Sequence, residues 1–169
     1  MTQDNAPTVV VNDASCLIDL RKARLLHLLV QLPFRLVIPF PVRASELIRF
    51  TLQEWAILDA GIEVFDLPAE LVVEAIAVMA RFPGLMAKDS FCLVTTRRHE
   101  NAILLTGDGQ LRSAASNDGR RVHGVLWVVD ELRRLALCDD AVIVQALEIW
   151  RDDPAVRLPL VEITRRFTR

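Results

Sequence analysis

The sequence predicts an α/β fold, a three-layer α/β/α sandwich around a mostly parallel sheet of roughly five strands. Three observations predict it. Five short apolar or β-branched runs recur along the chain. Stretches with helical spacing separate them, and strands joined through helices form parallel βαβ crossovers with helices on both faces. The composition, 169 residues with 52% hydrophobic and 25% charged, suits one domain that buries a sizeable core without disulfide or structural metal.

Each element follows from its pattern. Residues 8–12 (TVVVN) are a β-branched run, read as a buried strand. Residues 17–31 place Leu17, Leu20, Leu25, Leu28 and Leu29 at helical spacing among Asp19, Arg21, Lys22 and Arg24. Residues 35–39 (RLVIP) are the second strand. Pro41 suits a first helical turn, and 42–59 carries helical patterning through Leu47, Ile48, Leu52, Trp55 and Leu58. Residues 62–66 (IEVFD) alternate as a third strand. Pro68 opens a helix over 69–82 that stops at Pro83 and Gly84, and another helix runs from about 88 to 100. Residues 102–106 (AILLT) are the fourth strand, a continuous apolar run of the kind that suits a central strand covered on both faces. Residues 109–116 read as helix and 121–125 as a weaker fifth strand. The remainder, 126–150 and 159–168, reads as helical, with Asp139 or Asp140 as N-cap.

The chain shows no internal repeat or low-complexity linker. It reads as one domain over 1–169, with 139–169 a helical C-terminal extension whose last part is a basic tail carrying Arg157, Arg165, Arg166 and Arg169. Hydrophobicity this high excludes intrinsic disorder. A net charge of −2, from 22 acids and 20 bases, gives no global basic field. Cys16, Cys92 and Cys138 are scattered, with no CxxC pair and no Cys/His cluster at zinc spacing. They read as reduced thiols, consistent with a cytoplasmic setting. The first residues, MTQDNAPTVVVNDAS, lack the basic and apolar regions of a signal peptide. No apolar run is long enough to span a membrane.

In open α/β sheets ligands bind at the carboxyl ends of the strands. Asp13 follows the first strand and Asp108 follows the fourth, so a sheet that makes those strands neighbours brings the two carboxylates into one crevice. Glu46 and Asp89 lie in otherwise apolar helical contexts, near the starts of the second helix and of the helix at 88–100. Each acid alone has a plain structural reading: Asp13 and Asp108 as turn formers or N-caps, Asp89 as a partner of the helix dipole, Glu46 as a solvated side chain. Four converging carboxylates repel one another and raise each other's pKa unless a cation is present. A hard divalent cation, Mg²⁺ or Mn²⁺, matches an all-oxygen set. His27, His99 and His123 have no ligand spacing.

These segments resemble the PIN-domain family, metal-dependent nucleases that include VapC-like toxins. The stretches VVNDASCLIDL at 10–20, RASEL at 43–47, AKDSFCLVTTRR at 87–98 and AILLTGDGQLR at 102–112 carry the resemblance. GVLWVVDEL at 124–132 and RLP at 157–159 are similar to a bacterial subgroup. The resemblance implies Asp13, Glu46, Asp89 and Asp108 as the catalytic, metal-ligating quartet. It implies Ser15 and Thr106 as hydroxyls that orient carboxylates or metal-bound water. It also implies Mg²⁺- or Mn²⁺-dependent hydrolysis of RNA phosphodiesters, as by the toxin of a toxin–antitoxin pair, with an antitoxin protein and a homodimer as partners. Gly109 and Gln110 depart from the family, in which a further acid or asparagine often follows the last Asp. Lys88, Arg97, Arg98 and Arg112 flank the third and fourth acids as candidate RNA contacts, with Arg120 and Arg121 close by. Lys88 has a second reading, pairing with a carboxylate and weakening metal binding. The helices at 47–58 and 69–82 are more apolar than one-sided packing needs, which in the family serves a dimer face and an antitoxin groove.

Three alternatives stand beside this reading. A catalytically degenerate PIN fold would serve as a binding or regulatory module. A receiver-like phosphoacceptor domain would need paired acids after the first strand and a late lysine, and no lysine follows Lys88. A haloacid-dehalogenase-type phosphatase would need Asp-x-Asp where this chain has DAS at 13–15.

Overall fold

A computed structural model describes residues 6–168. Residues 1–5, at the start of the stretch read as lacking a leader, and Arg169 of the basic tail lie outside the described residues. The sheet has five strands, all parallel: β1 (Val9–Asn12), β2 (Arg35–Pro39), β3 (Ile62–Phe65), β4 (Ile103–Leu105) and β5 (Arg121–His123). Their order is β3-β2-β1-β4-β5. Val10 and Val11 of β1 are fully buried, as are Leu104 and Leu105 of β4. The alternating strand at 62–66 and the weak strand at 121–125 become the two edges, where one face or one side stays wet.

The order reverses between β1 and β4. The first crossovers build the sheet outward in one direction and the last crossover builds it in the other, so right-handed connections put their helices on opposite faces. One layer contains α5 (Ala69–Arg81), α6 (Ala87–Arg98) and α7 (Gly109–Asn117), with α6 lying across β1, β2 and β4. The other contains α1 (Ala14–Lys22), α8 (Val125–Arg134) and α9 (Asp140–Asp152). The three-layer α/β/α architecture is the one the sequence predicts.

Three predicted helices are each split, for identifiable reasons. The stretch 17–31 divides into α1 and the one-turn α2 (Leu26–Leu29) at Arg24, whose φ is +59°. Leu25 N–H donates to Leu20 O at 2.8 Å and Arg24 N–H to Arg21 O at 3.0 Å. That pair of bonds is a Schellman C-cap, completed by contact-ready apolar residues Leu20 and Leu25, both fully buried. The same pair ends α8, where Ala136 has φ +50° and separates α8 from α9. It also ends α7, with Gly119 at φ +72°. The caps at Arg24 and Ala136 escape the sequence because neither carries the expected glycine. The stretch 42–59 divides into α3 (Phe40–Glu46) and α4 (Leu52–Gly61). Here Thr51 and Glu54 form a reciprocal capping box that starts a new helix.

The C-terminal residues join the same core. Trp150 of α9 is buried and its Nε1 donates to Asp19 O at 2.8 Å. Ile163 of α10 (Leu160–Phe167) is also buried, and Arg166 pairs with Asp130 of α8 at 2.6 Å. Asp139 occupies the N-cap position of α9 without a capping side-chain hydrogen bond. Among the described residues no helix is long and apolar enough to cross a membrane.

The two non-glycine caps generate a prediction. An L-residue in the left-handed region costs about 1–2 kcal/mol, and glycine gives back part of that gain as unfolded-state entropy. Arg24→Gly and Ala136→Gly are therefore expected to stabilise the chain by up to about 1 kcal/mol each, read by urea unfolding. A destabilising result at both positions contradicts the cap assignment.

Candidate active site

The register of the sheet builds the site. Asn12 of β1 stands opposite Leu105 of β4, and Asp13 N–H continues the ladder to Leu105 O at 3.0 Å. Thr106 N–H continues it on the other side to His123 O at 2.9 Å. Asp13 and Thr106 therefore leave adjacent strands side by side, at the point where strand order reverses.

Asp13 is the N-cap of α1 and is 4% exposed. Its Oδ1 accepts from Ala14 N–H at 2.8 Å. Its Oδ2 accepts from Ser15 Oγ at 2.6 Å and from Thr106 Oγ1 at 2.8 Å. Both hydroxyls act twice. Thr106 Oγ1 also accepts from Asp108 N–H at 3.0 Å, and Ser15 Oγ from Gly107 N–H at 2.9 Å. Two hydroxyls thus tie the turn after β1 to the turn after β4. Asp108 is the N-cap of α7, with Oδ1 accepting from Leu111 N–H at 2.8 Å.

Asp89 enters from the first turn of α6, where Oδ2 accepts from Met86 N–H at 2.8 Å. It is 6% exposed. Burial pushes its carboxyl above the usual range, the Met86 hydrogen bond opposes this, and the nearby Asp13 and Asp108 charges push it further up. Asp89 thus feels two of the other three acids singled out in the sequence. Glu46, at the end of α3, is held by Lys88: Nζ donates to Oε2 at 2.8 Å. That bond holds the Lys88 ammonium charged to higher pH, and the charges of Asp89 and Asp13 act in the same direction.

In kind this donor set fits a hard divalent cation. All its ligands are oxygens, and the like charges that raise the Asp89 pKa are what such a cation relieves. In spacing, among the described residues no three acidic, histidine or cysteine side chains form a ready-made cage. Mg²⁺ in general needs only one or two carboxylates and keeps several waters.

The cations divide by position. Arg97 is committed to Asp118 at 2.6 Å and Glu74 at 2.9 Å. It and the exposed Arg98 lie at the far end of α6 from Asp89, about 12 Å along the axis. Arg120 pairs with Asp118, and Arg121 donates to Asn101 O. Arg112 donates to Thr106 O at 3.0 Å and stays beside the acids. Burial pushes the Cys16 and Cys92 thiols well up, so neither offers a thiolate nucleophile. The sequence reading passed over Asn12, a fully buried amide whose Nδ2 donates to Val10 O and Val37 O. A lone Asn closing a run of valines was its signal.

Two outcomes follow from this geometry. Thr106→Val removes one donor from Asp13 and the acceptor of Asp108 N–H inside a buried site. It should cost roughly 1–3 kcal/mol by urea unfolding, well above a surface Thr→Val change. Asp19 of α1 is pushed up to about 6, mainly by burial. A carboxyl raised in the fold binds its proton more tightly folded than unfolded, so its penalty grows as pH climbs from about 4 to 6 and is full above. Asp19→Asn should leave the melting temperature unchanged at pH 3.5 and raise it by on the order of 5 °C at pH 7.5.

Comparison with known proteins supplies the family. A family model described as a PIN domain matches residues 9–149, the whole sheet and every acid described above. No curated protein matches the chain significantly. With most of its length covered by that model, the chain belongs to the PIN-domain family.

Proposed function

We propose that the chain is a Mg²⁺- or Mn²⁺-dependent endoribonuclease. The observation that supports this most is the convergence of Asp13, Asp89 and Asp108, from three different elements, on the reversal point of a parallel sheet. Asp13, fixed by three donors, would anchor the cation with Asp89 and Asp108 beside it. When bound, such a cation activates water and neutralises the charge that develops on a phosphodiester in hydrolysis. Ser15 and Thr106 hold the Asp13 carboxylate in one orientation. Asp89, buried and hydrogen-bonded to Met86 N–H, would stand beside the cation as a further oxygen ligand. Lys88 neutralises Glu46 across 2.8 Å, so Glu46 would enter the set through Lys88.

Partners belong to the same proposal. Leu52, Val73 and Ile76 on α4 and α5 are 90%, 66% and 63% exposed. Apolar exposure of that kind supports a protein partner, as in a homodimer or a toxin–antitoxin pair. The binding-module reading has one observation in its favour, the missing ready-made cage.

Cleavage of a mixed single-stranded RNA pool with Mn²⁺, alongside Mn²⁺ calorimetry, separates the two. The nuclease reading expects metal-dependent cleavage that Asp89→Asn and Asp108→Asn each lower about a hundredfold or more. No Mn²⁺ binding at millimolar concentration, with no cleavage, sinks the enzyme and leaves the binding module.

A further inference from the structure

A cleft of about 730 Å³ opens from the acidic site toward the C-terminal segment. Ser15, Thr106 and Asp108 of the site line it, together with Arg157 and Pro159 of the C-terminal segment. Resting on the ribonuclease reading above, we propose that this cleft carries the RNA strand beyond the scissile phosphate, with Arg112 and Arg157 on phosphates and His123 under a base.

Charge pairing selects the two arginines. Most arginines here are committed to carboxylates, and in the cleft itself Arg166 is held by Asp130 and Glu162. Lys22 is likewise held by Asp153. Among the described residues, neither Arg112 nor Arg157 has a carboxylate within ion-pair distance, and the Arg112 guanidinium touches only Thr106 O. Uncommitted cations are what a phosphate backbone takes. Of the cleft's own carboxylates, Asp108 belongs to the acidic site, and Glu162 is held by Arg165 and Arg166. Asp19 is left, close to Lys22.

The aromatic wall supplies the second half of single-strand recognition. Phe34, Trp127 and His123 form a column. The Phe34–Trp127 centroids are 5.3 Å apart at 28° and the Trp127–His123 centroids 4.9 Å apart at 11°. Phe34 lies outside the cleft lining, whereas Trp127 and His123 are part of it, so the column ends in an imidazole at the cleft wall. Burial, then Arg112 and Arg121 nearby, lower its pKa. A flat ring already backed by two others accepts a stacked base, the sequence-tolerant contact that single-stranded RNA offers. The volume is on the scale of a drug-sized ligand, hence of a nucleotide rather than a duplex.

The test measures binding of the full chain to a 5′-labelled 12-nucleotide single-stranded RNA in EDTA, by anisotropy across a salt series, with cleavage assayed separately in Mn²⁺. Arg157 is exposed, so its variant tests binding rather than folding. Arg157→Glu is expected to weaken binding about tenfold and to flatten the salt dependence by about one phosphate contact. His123→Ala is expected to weaken binding fivefold or more without changing that slope. Arg98→Glu makes the same charge change far from the cleft and should hold affinity within twofold. If wild type cleaves RNA but both cleft variants bind like wild type, the cleft inference fails and the ribonuclease reading stands. If wild type neither cleaves nor binds RNA, both fail. Adenosine 5′-monophosphate binding as tightly as the 12-mer, with the same sensitivity to Arg157→Glu, replaces a strand path with a mononucleotide pocket and overturns the inference.

Discussion

The parallel pairing of β1 with β4 is the constraint on which the rest of the structure depends. These strands are separated by some ninety residues, yet their register places Asn12 opposite Leu105 and sets the next residues, Asp13 and Thr106, side by side. Two small hydroxyls then lock the turns together. Ser15 and Thr106 both donate to Asp13 Oδ2; Ser15 also accepts Gly107 N–H from the opposite turn, and Thr106 accepts Asp108 N–H within its own. A buried carboxylate is costly unless its acceptors are filled. Here the donors that fill them also fix the geometry of the crevice, so the stability of the junction and the orientation of the site come from the same atoms.

Electrostatics divides the acids into different conditions. Asp13 has three donors. Asp89 has one, and faces two like charges in a buried setting, which is why its carboxyl is raised. Glu46 is matched by Lys88 across 2.8 Å. The Lys88 ammonium also feels Asp13 and Asp89, so it partly offsets the repulsion among the acids. This is the physical link between the helix that follows β2 and the helix that precedes β4: α3 and α6 meet through an ion pair.

The C-terminal segment extends this site rather than standing apart from it. Trp150 reaches the backbone of α1 through Asp19 O, and Arg166 is fastened to α8 through Asp130. Those anchors make Arg157 and Pro159 part of the lining of the cleft that also contains Asp108. The Schellman cap at Ala136 makes this possible, because it ends α8 and turns the chain so that α9 comes back over α1 and α10 returns to α8. A helix continuing through 126–150 would have carried them away.

Much of the fold was legible in the sequence because hydrophobic period is local. The valine run at 9–11, the apolar run at 103–105 and the alternation at 62–65 distinguish central from edge strands, and the order of strands and helices specifies an α/β/α sandwich. The places of Asp13 and Asp108 were legible because each caps the helix that follows a strand marked by its apolar run. The breaks at Arg24 and Ala136 were not, since a left-handed cap without glycine leaves no residue signal. The capping box at Thr51 and Glu54 did leave one, which the surrounding apolar period masked. Partners in space were beyond the sequence altogether. That Lys88 takes Glu46, that Arg97 is spent on Asp118 and Glu74, and that His123 ends an aromatic column beside Asp108 depend on which elements meet. Residue type and spacing determine elements and their chemistry. Side-chain pairing across long sequence separation is decided only when packing brings the groups within a few ångströms.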